Sequence, residues 1–368
     1  MTVGAPDDLF GLCTSLVAIP SVSHQEGRLA DLVQSTLDRF AWLTVERVGN
    51  NVIARTDLDR PTRVMLAGHL DTVPPVGGNH QPRVVDDVLY GVGAADMKGG
   101  LAVFLHLAGS LAEPAVDVTW CFYVCEEVEQ RFNGLCQLWE QRPDLLRADV
   151  AILGEPTGGV VEAGCQGMLR VSIELEGRRA HTARPSSGRN AIHRLAPVLA
   201  EVAGYESRHV VLDSCEYVEQ LQVVEVTGGV AANVVPDSAT VLVNHRFAPD
   251  RTVVEAEASI RELLGPHLEA TDRWEVVESA SAAPPSLGHP VLATLVDATG
   301  APPQGKQGWT DVASFWAHGI PAANFGPGDP RVAHTPGEHV GAAQVGQVAA
   351  VLDTLLGEGS FGTATCGR

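Results

Sequence analysis

The chain has 368 residues, longer than one hydrophobic core usually supports, so two domains are expected. Its 45 acidic and 25 basic side chains leave a formal charge of -20, which repels phosphate backbones and anionic lipid and argues against nucleic-acid or membrane partners. No stretch reaches the roughly 18 uninterrupted apolar residues of a membrane span, the start MTVGAPDDLF lacks a basic segment ahead of an apolar core, and the protein reads as cytosolic.

Along the chain, amphipathic helical patterning (about residues 7 to 18, then 25 to 40) precedes three apolar runs, TRVMLAGHL, VTWCFYVCEE and ADVAILGEPT. Apolar runs bounded by turn residues predict buried strands, and side chains two apart on a strand point the same way. His69 and Asp71, in GHLDTVP, therefore face one spot, where a carboxylate can fix the tautomer of a metal-ligating imidazole. The other two runs also end in ligand-type residues, Glu126 and Glu127, then Glu155. Open α/β sheets bind ligands beyond the carboxyl ends of their strands, so the three runs predict one site. In GVGAADMKGGLAVFLHLAGSLAE, Asp96 sits in a glycine-rich turn before a helix and can reach the same edge.

From 168 to 278 the texture becomes strand, helix, strand, strand, helix, strand, the split arrangement of a small sheet with helices on one face. The expected fold class is therefore α/β: a mixed-sheet catalytic domain from residues 1–167 and 279–368, interrupted by an inserted α+β, ferredoxin-like domain at 168–278. SAAPPSLGHP reads as the crossover back, GAAQVGQVAAVLDTLLG as a closing helix, and GEGSFGTATCGR as a frayed tail. The seven cysteines are odd in number and irregularly spaced; they read mostly as small buried residues rather than disulfides or zinc ligands.

His69, Asp96, Glu127, Glu155 and a late histidine such as His334 make a nitrogen and oxygen donor set suited to zinc, cobalt or manganese. A closed structural zinc takes four ligands; five, with one carboxylate able to bridge, point to two metals roughly 3.5 to 4 Å apart. Glu126 is left over beside Glu127, where a general base for water belongs. Taken alone, that pair reads as acidic residues at a helix start; its company reverses the preference. There is no GxSxG elbow, HExxH or Walker loop, and GVGAAD ends in Asp where a dinucleotide fingerprint needs Gly, which disfavours a serine hydrolase or a dehydrogenase.

GHLDTVP, GAADMKGGLA, EEVEQRFNGL, GEPT, GRRAHTARPSSGRNAIH, NVVPD and GPGD…AHTPGE follow in that order over about residues 10 to 355, and together they resemble the dinuclear zinc aminoacylase and carboxypeptidase family. EAGCQGMLRV, GWTDVASFWAHGIPAANFGPGDP and the chain length are most similar to its actinobacterial-type succinyl-diaminopimelate desuccinylases. The resemblance implies two zinc (or cobalt) ions per subunit, with His69 and Glu155 on one, Glu127 and His334 on the other, and Asp96 bridging. It implies that Asp71 orients His69 and that Glu126 is the general base. His181 then stabilises the oxyanion from the small domain, in dimers from the opposite subunit; Asn233 and Arg246 hold substrate carboxylate or carbonyl groups, and Thr310 lines the pocket. The implied activity is hydrolysis of N-succinyl-LL-2,6-diaminopimelate to succinate and LL-2,6-diaminopimelate, by a homodimer whose inserted domain serves as lid and interface. Another N-acyl-amino-acid deacylase, an aminopeptidase or dipeptidase of the same family, and a metal-binding protein without turnover stay open as alternatives. Two departures stand out: Pro336-Gly337 in HTPGEHV, with His339 close to His334, and Gln166 where proteobacterial desuccinylases carry arginine.

Overall fold

A computed structural model describes residues 8–359 and Phe361. The helix start at residue 7 lies outside the described residues, as do Ser360 and residues 362–368 of the tail expected from Gly357; the first two residues of that expected tail, Gly357 and Glu358, instead continue the closing helix Ala342–Glu358. The chain divides into two compact units: one runs to Ala163 and resumes at Pro285–Gln304 and from Ser314, and the other comprises Gly164–Pro284 and Gly305–Ala313.

The first unit is built on an eight-stranded mixed sheet, ordered Thr44–Val48, Asn51–Arg55, Asp117–Tyr123, Arg63–His69, Val150–Leu153, Ala322–Asn324, Glu162–Ala163, Gln304–Gly305. The three apolar runs are its centre: Arg63–His69 lies parallel to both Asp117–Tyr123 and Val150–Leu153. Every residue of those two flanking strands is buried, as continuous apolar strands covered on both faces should be. Because the three run the same way, their carboxyl ends fall on one edge. The helix Gly99–Ser110 is apolar nearly all round and is enclosed, packing against helices Leu9–Val17 and Ala342–Glu358. Gly100 lets it approach the sheet: a Cβ there would stand 2.2 Å from the carbonyl oxygen of Gly154. A small sheet of Arg83–Val85, Val88–Tyr90 and His339–Gly341, not expected from the sequence, joins the region before Asp96 to the region after His334.

The second unit carries a four-stranded antiparallel sheet, ordered Gln220–Gly228, Ser238–Phe247, Gly167–Glu176, Arg273–Ala280, the strand order of a ferredoxin-like fold. Leu169, Val171, Ile173 and Leu175 alternate onto its buried face and pack with residues of helices Ala191–Ala203 and Val253–Leu264. Thr252 and Glu255 cap the N-terminus of the second helix with a capping box. An additional hairpin, His209–Leu212 with Cys215–Val218, was not foreseen. Its turn is Asp213-Ser214, both at positive φ (45° and 67°), without the glycine that ordinarily signals such a turn. Six cysteines fall among the described residues; all are free thiols, five buried and Cys136 partly so. No helix among the described residues is long and apolar enough to cross a membrane.

Candidate metal centre

The carboxyl edge of the central strands collects the expected ligands, all within the first unit. His69 is the last residue of its strand, paired in register with Tyr123. Glu126 and Glu127 follow Tyr123 after Cys125 turns the backbone at φ 59°. Glu155 stands two residues past Leu153. Asp96 comes from the turn that begins at Gly93, whose φ of 80° suits glycine, and His334 from a loop, itself at φ 61°.

Asp96 lies between two histidines and offers each a different oxygen. Its Oδ1 is 3.1 Å from His69 Nε2 and its Oδ2 is 3.3 Å from His334 Nε2. Glu155 Oε1 is 3.8 Å from His69 Nε2, and Glu127 Oε1 is 2.9 Å from His334 Nε2. Ligand atoms of His69, Asp96 and Glu127 all fall within 4.8 Å of one another. The arrangement is two histidine–glutamate half-sites joined by one carboxylate. His339 is not part of it: its ring lies 5.2 Å from that of Tyr90, tilted by 35°, and its Nδ1 faces the Gly337 carbonyl oxygen at 2.7 Å.

Asp71 is almost fully enclosed, and its parts do two jobs. The Asp71 carbonyl oxygen is 3.0 Å from His69 Nδ1, closer than its own Oδ1 at 3.6 Å, so the main chain contributes the nearer contact that fixes the ring. The carboxylate accepts from the amides of Glu126 (3.0 Å) and Glu127 (3.1 Å) and from the Ser23 hydroxyl (2.8 Å). It thereby holds the turn from which both glutamates project. The sequence reading did not name Ser23, nor Glu26, which accepts from the Cys125 thiol (3.2 Å) and the His24 amide (2.9 Å). It passed over Glu338, whose Oε1 accepts from the amides of Ala95 and Asp96, both at 3.1 Å. The His-x-x-x-Glu spacing of residues 334 to 338 was the available signal for that residue.

Like charges crowd this edge, and the ionisation of each group follows. Burial opposes a charged His69, yet the carboxylates of Asp71 and Asp96 and the charges of Glu126 and Glu155 outweigh it and hold its pKa well above the ordinary value. Hydrogen bonds to Asp96 and Glu127 raise His334 to about 10. Burial favours protonated Asp96, but His334 and His69 reverse this and keep it ionised. Burial, together with the Asp96 charge, raises Glu127. Burial lifts Glu338 to about 7 against the two amides that favour its ionised form. The edge thus gathers positive charge wherever its own groups can supply it. Neutral imidazoles and carboxylates in this number suit two divalent cations of borderline hardness, with the histidines deprotonated once they ligate.

The other expected residues belong to the second unit. His181 and Asn233 lie on adjacent exposed segments: His181 bridges to Val234, and the Thr182 amide donates to the Asn233 carbonyl at 3.1 Å. Arg246 is half-buried on Ser238–Phe247, in register with Met168 and Gln220. Burial, then the nearby Arg170 guanidinium, lowers its pKa. Arg170 is engaged with Glu278, and among the described residues the Arg246 guanidinium makes no hydrogen bond or ion pair. Thr310 is buried, its carbonyl accepting from the Cys165 thiol. Gln166 is occupied structurally, its Nε2 donating to the Val218 carbonyl at 2.8 Å and bracing the hairpin.

Residues 65–358 match the model of peptidase family M20/M25/M40. A protein of Mycobacterium tuberculosis is 50% identical over 352 residues, 95% of this chain and 97% of its own. The succinyl-diaminopimelate desuccinylase of Corynebacterium glutamicum is 46% identical over 363 residues, 95% of this chain and 98% of its own. Among solved structures, a Bacillus subtilis dinuclear metal binding peptidase of the M20 family aligns with a TM-score of 0.68 at 16% identity, covering 95% of this chain and 97% of that one.

Proposed function

The chain belongs to peptidase family M20/M25/M40, and from this we infer a metal-dependent amidohydrolase, an N-succinyl-LL-2,6-diaminopimelate desuccinylase that releases succinate and LL-2,6-diaminopimelate. The observation that carries the chemistry is Asp96 with one oxygen toward each histidine–glutamate pair. His69 and Glu155 would hold one divalent ion, Glu127 and His334 the other, and Asp96 both. Two bound zinc or cobalt ions supply Lewis acidity, polarising the amide carbonyl and making water easier to deprotonate.

The chain's own residues handle the proton and the charge. Glu126, whose amide is anchored on Asp71, takes a proton from the attacking water. The oxygen of that water bonds to the amide carbon, the carbon–nitrogen bond breaks, and Glu126 returns the proton to the leaving amine. His181 donates to the developing oxyanion. Arg246, without a carboxylate partner of its own, is available to a substrate carboxylate, with Asn233 on the carbonyl side and Thr310 on the pocket wall.

The inserted unit serves in this reading as lid and dimerisation element. Its sheet ends on the strand Gln220–Gly228, an edge with Val224 and Val226 about half exposed, which favours pairing with a second copy. The free, mostly buried thiols accord with a reducing, cytoplasmic setting. The test is succinate release from N-succinyl-LL-2,6-diaminopimelate by metal-free protein titrated with zinc or cobalt, beside a panel of N-acyl amino acids and peptides. Release that returns as about two equivalents are restored, with the succinylated substrate best, supports the reading. Cleavage of another acyl amine with no succinate release discards the substrate, and metal uptake without any hydrolysis discards the enzyme.

A further inference from the structure

The two half-sites are built from different materials. His69 ends its strand, in register with Tyr123, and Glu155 follows the neighbouring parallel strand by two residues, just past a hydrogen-bonded ladder that runs to Ala67 and Leu153. His334 has no such support; it sits at positive φ in a loop and is 207 residues from Glu127, its partner at 2.9 Å.

What holds that loop is Glu338, 1% exposed, one helical turn's distance along the chain from His334. Its side-chain Oε1 accepts from the amides of Ala95 and Asp96, and its carbonyl accepts from the Gly91 amide at 3.1 Å. Its own amide donates back to Thr335 at 3.2 Å, closing the His334 turn. The Thr335 carbonyl also accepts from Asn79 Nδ2 at 3.1 Å, and Asn79 is in turn buried and tied through its own carbonyl to the Val92 amide at 2.9 Å. One carboxylate therefore fastens the turn carrying Asp96 to the loop carrying His334, and Asn79 ties the same loop to Val92.

We propose that Glu338 is a positioning residue that sets the affinity of the His334–Glu127 half-site, leaving the His69–Glu155 half-site to the sheet. This rests on the two-metal reading above. Losing the strut loosens His334, which serves one ion only, and the Asp96 turn, which serves both, while the strand-end ligands keep their places, so the two metal affinities fall unequally. Groups that orient metal ligands typically account for 10- to 100-fold in affinity.

The experiment is calorimetric titration of metal-free protein with zinc alone, with bound zinc counted independently by elemental analysis, for the native chain, Glu338→Gln, Glu338→Ala and Asn79→Ala. Gln retains an oxygen acceptor for the two amides; Ala does not. The expected result is two equivalents for the native chain and for Glu338→Gln. Glu338→Ala should keep one tight equivalent and weaken the other by about tenfold or more, with Asn79→Ala weakening the same equivalent. Native-like binding of both ions by Glu338→Ala overturns the proposal, as does equal weakening of both. Loss of the second ion in Glu338→Gln as severe as in Glu338→Ala overturns the hydrogen-bond strut in favour of charge. If Glu338→Ala fails to fold, as judged by circular dichroism, Asn79→Ala decides: an unchanged second affinity there overturns it. A native chain that takes up fewer than two ions would instead remove the two-metal reading, a separate outcome read from the native titration.

Discussion

Glu126 and Glu127 are adjacent in sequence and share one anchor, yet the proposed mechanism asks opposite things of them: Glu127, which faces His334, would be a ligand, and Glu126 would have to stay basic. Glu126→Gln removes the base and preserves the shape. It is expected to bind metal normally while kcat falls about 10²- to 10⁴-fold, with KM little altered. Metal content and steady-state kinetics check this, and a near-native kcat would remove Glu126 from the role. Arg246 poses the complementary question about binding. A guanidinium with no ion-pair partner is costly unless a ligand supplies one. Arg246→Ala should therefore cost about 1.5–3 kcal/mol of transition-state binding for a succinylated substrate, roughly 10- to 150-fold in kcat/KM. An equal loss on an acyl substrate without the distal carboxylate would show that Arg246 does not read that group.

Among the elements, the helix Gly99–Ser110 and the segment after strand Val150–Leu153 depend on one close approach. The carbonyl of Gly154, next to Glu155, sits where a side chain on residue 100 would go, at 2.2 Å. Backbone cannot yield as a flexible side-chain tip can. Gly100→Ala should therefore destabilise the fold by about 1–3 kcal/mol, the usual range for overpacking, and shift Glu155 enough to weaken metal binding. Thermal melting with a parallel zinc titration tests both parts; a variant with native melting and native affinity would show that the helix can slide. Asp71 works at the same scale, because its carboxylate ties the segment at Ser23 to the turn at Glu126 and Glu127.

For the whole molecule, charge balance governs stability at both ends of the sheet. At the metal edge, the crowded carboxylates make the folded state a better home for cations than the unfolded chain. Metal should then stabilise by about 2.7 kcal/mol at free zinc a hundredfold above Kd, and chelation should lower the melting temperature. A melting temperature indifferent to verified metal removal would contradict this. At the opposite end, Asp117 opens its strand and accepts from the Thr56 hydroxyl and the amides of Leu58 and Arg60. Burial alone would raise its pKa; those three donors and Arg63 outweigh it and lower it. A carboxylate with a depressed folded pKa contributes stability above its unfolded pKa, about 3.9, and loses it as pH falls through the lower folded value. Asp117→Asn should therefore lose about 1.5–3 kcal/mol near neutral pH and show a flatter loss of stability below about pH 4. An unchanged acid limb in denaturant melts at several pH values would refute the assignment.

The sequence by itself determined the central strands and the direction in which they deliver their ligands. Continuous apolar runs ending in His69, Glu127 and Glu155 leave few alternatives once parallel strands align their carboxyl ends. The β-α-β-β-α-β order of the second unit was legible for a similar reason, since helix and strand periodicities are local. The hairpin at Asp213-Ser214 was not, because its positive φ values fall on residues without a glycine signal. The sequence already favoured His334 over His339, and the structure turns His334 toward Asp96; only the tertiary structure decided that Glu338 reaches the Asp96 amide across 242 residues. A loop has no periodicity to read; long-range hydrogen bonds position its side chains, and these exist only after the sheet has brought the distant segments together.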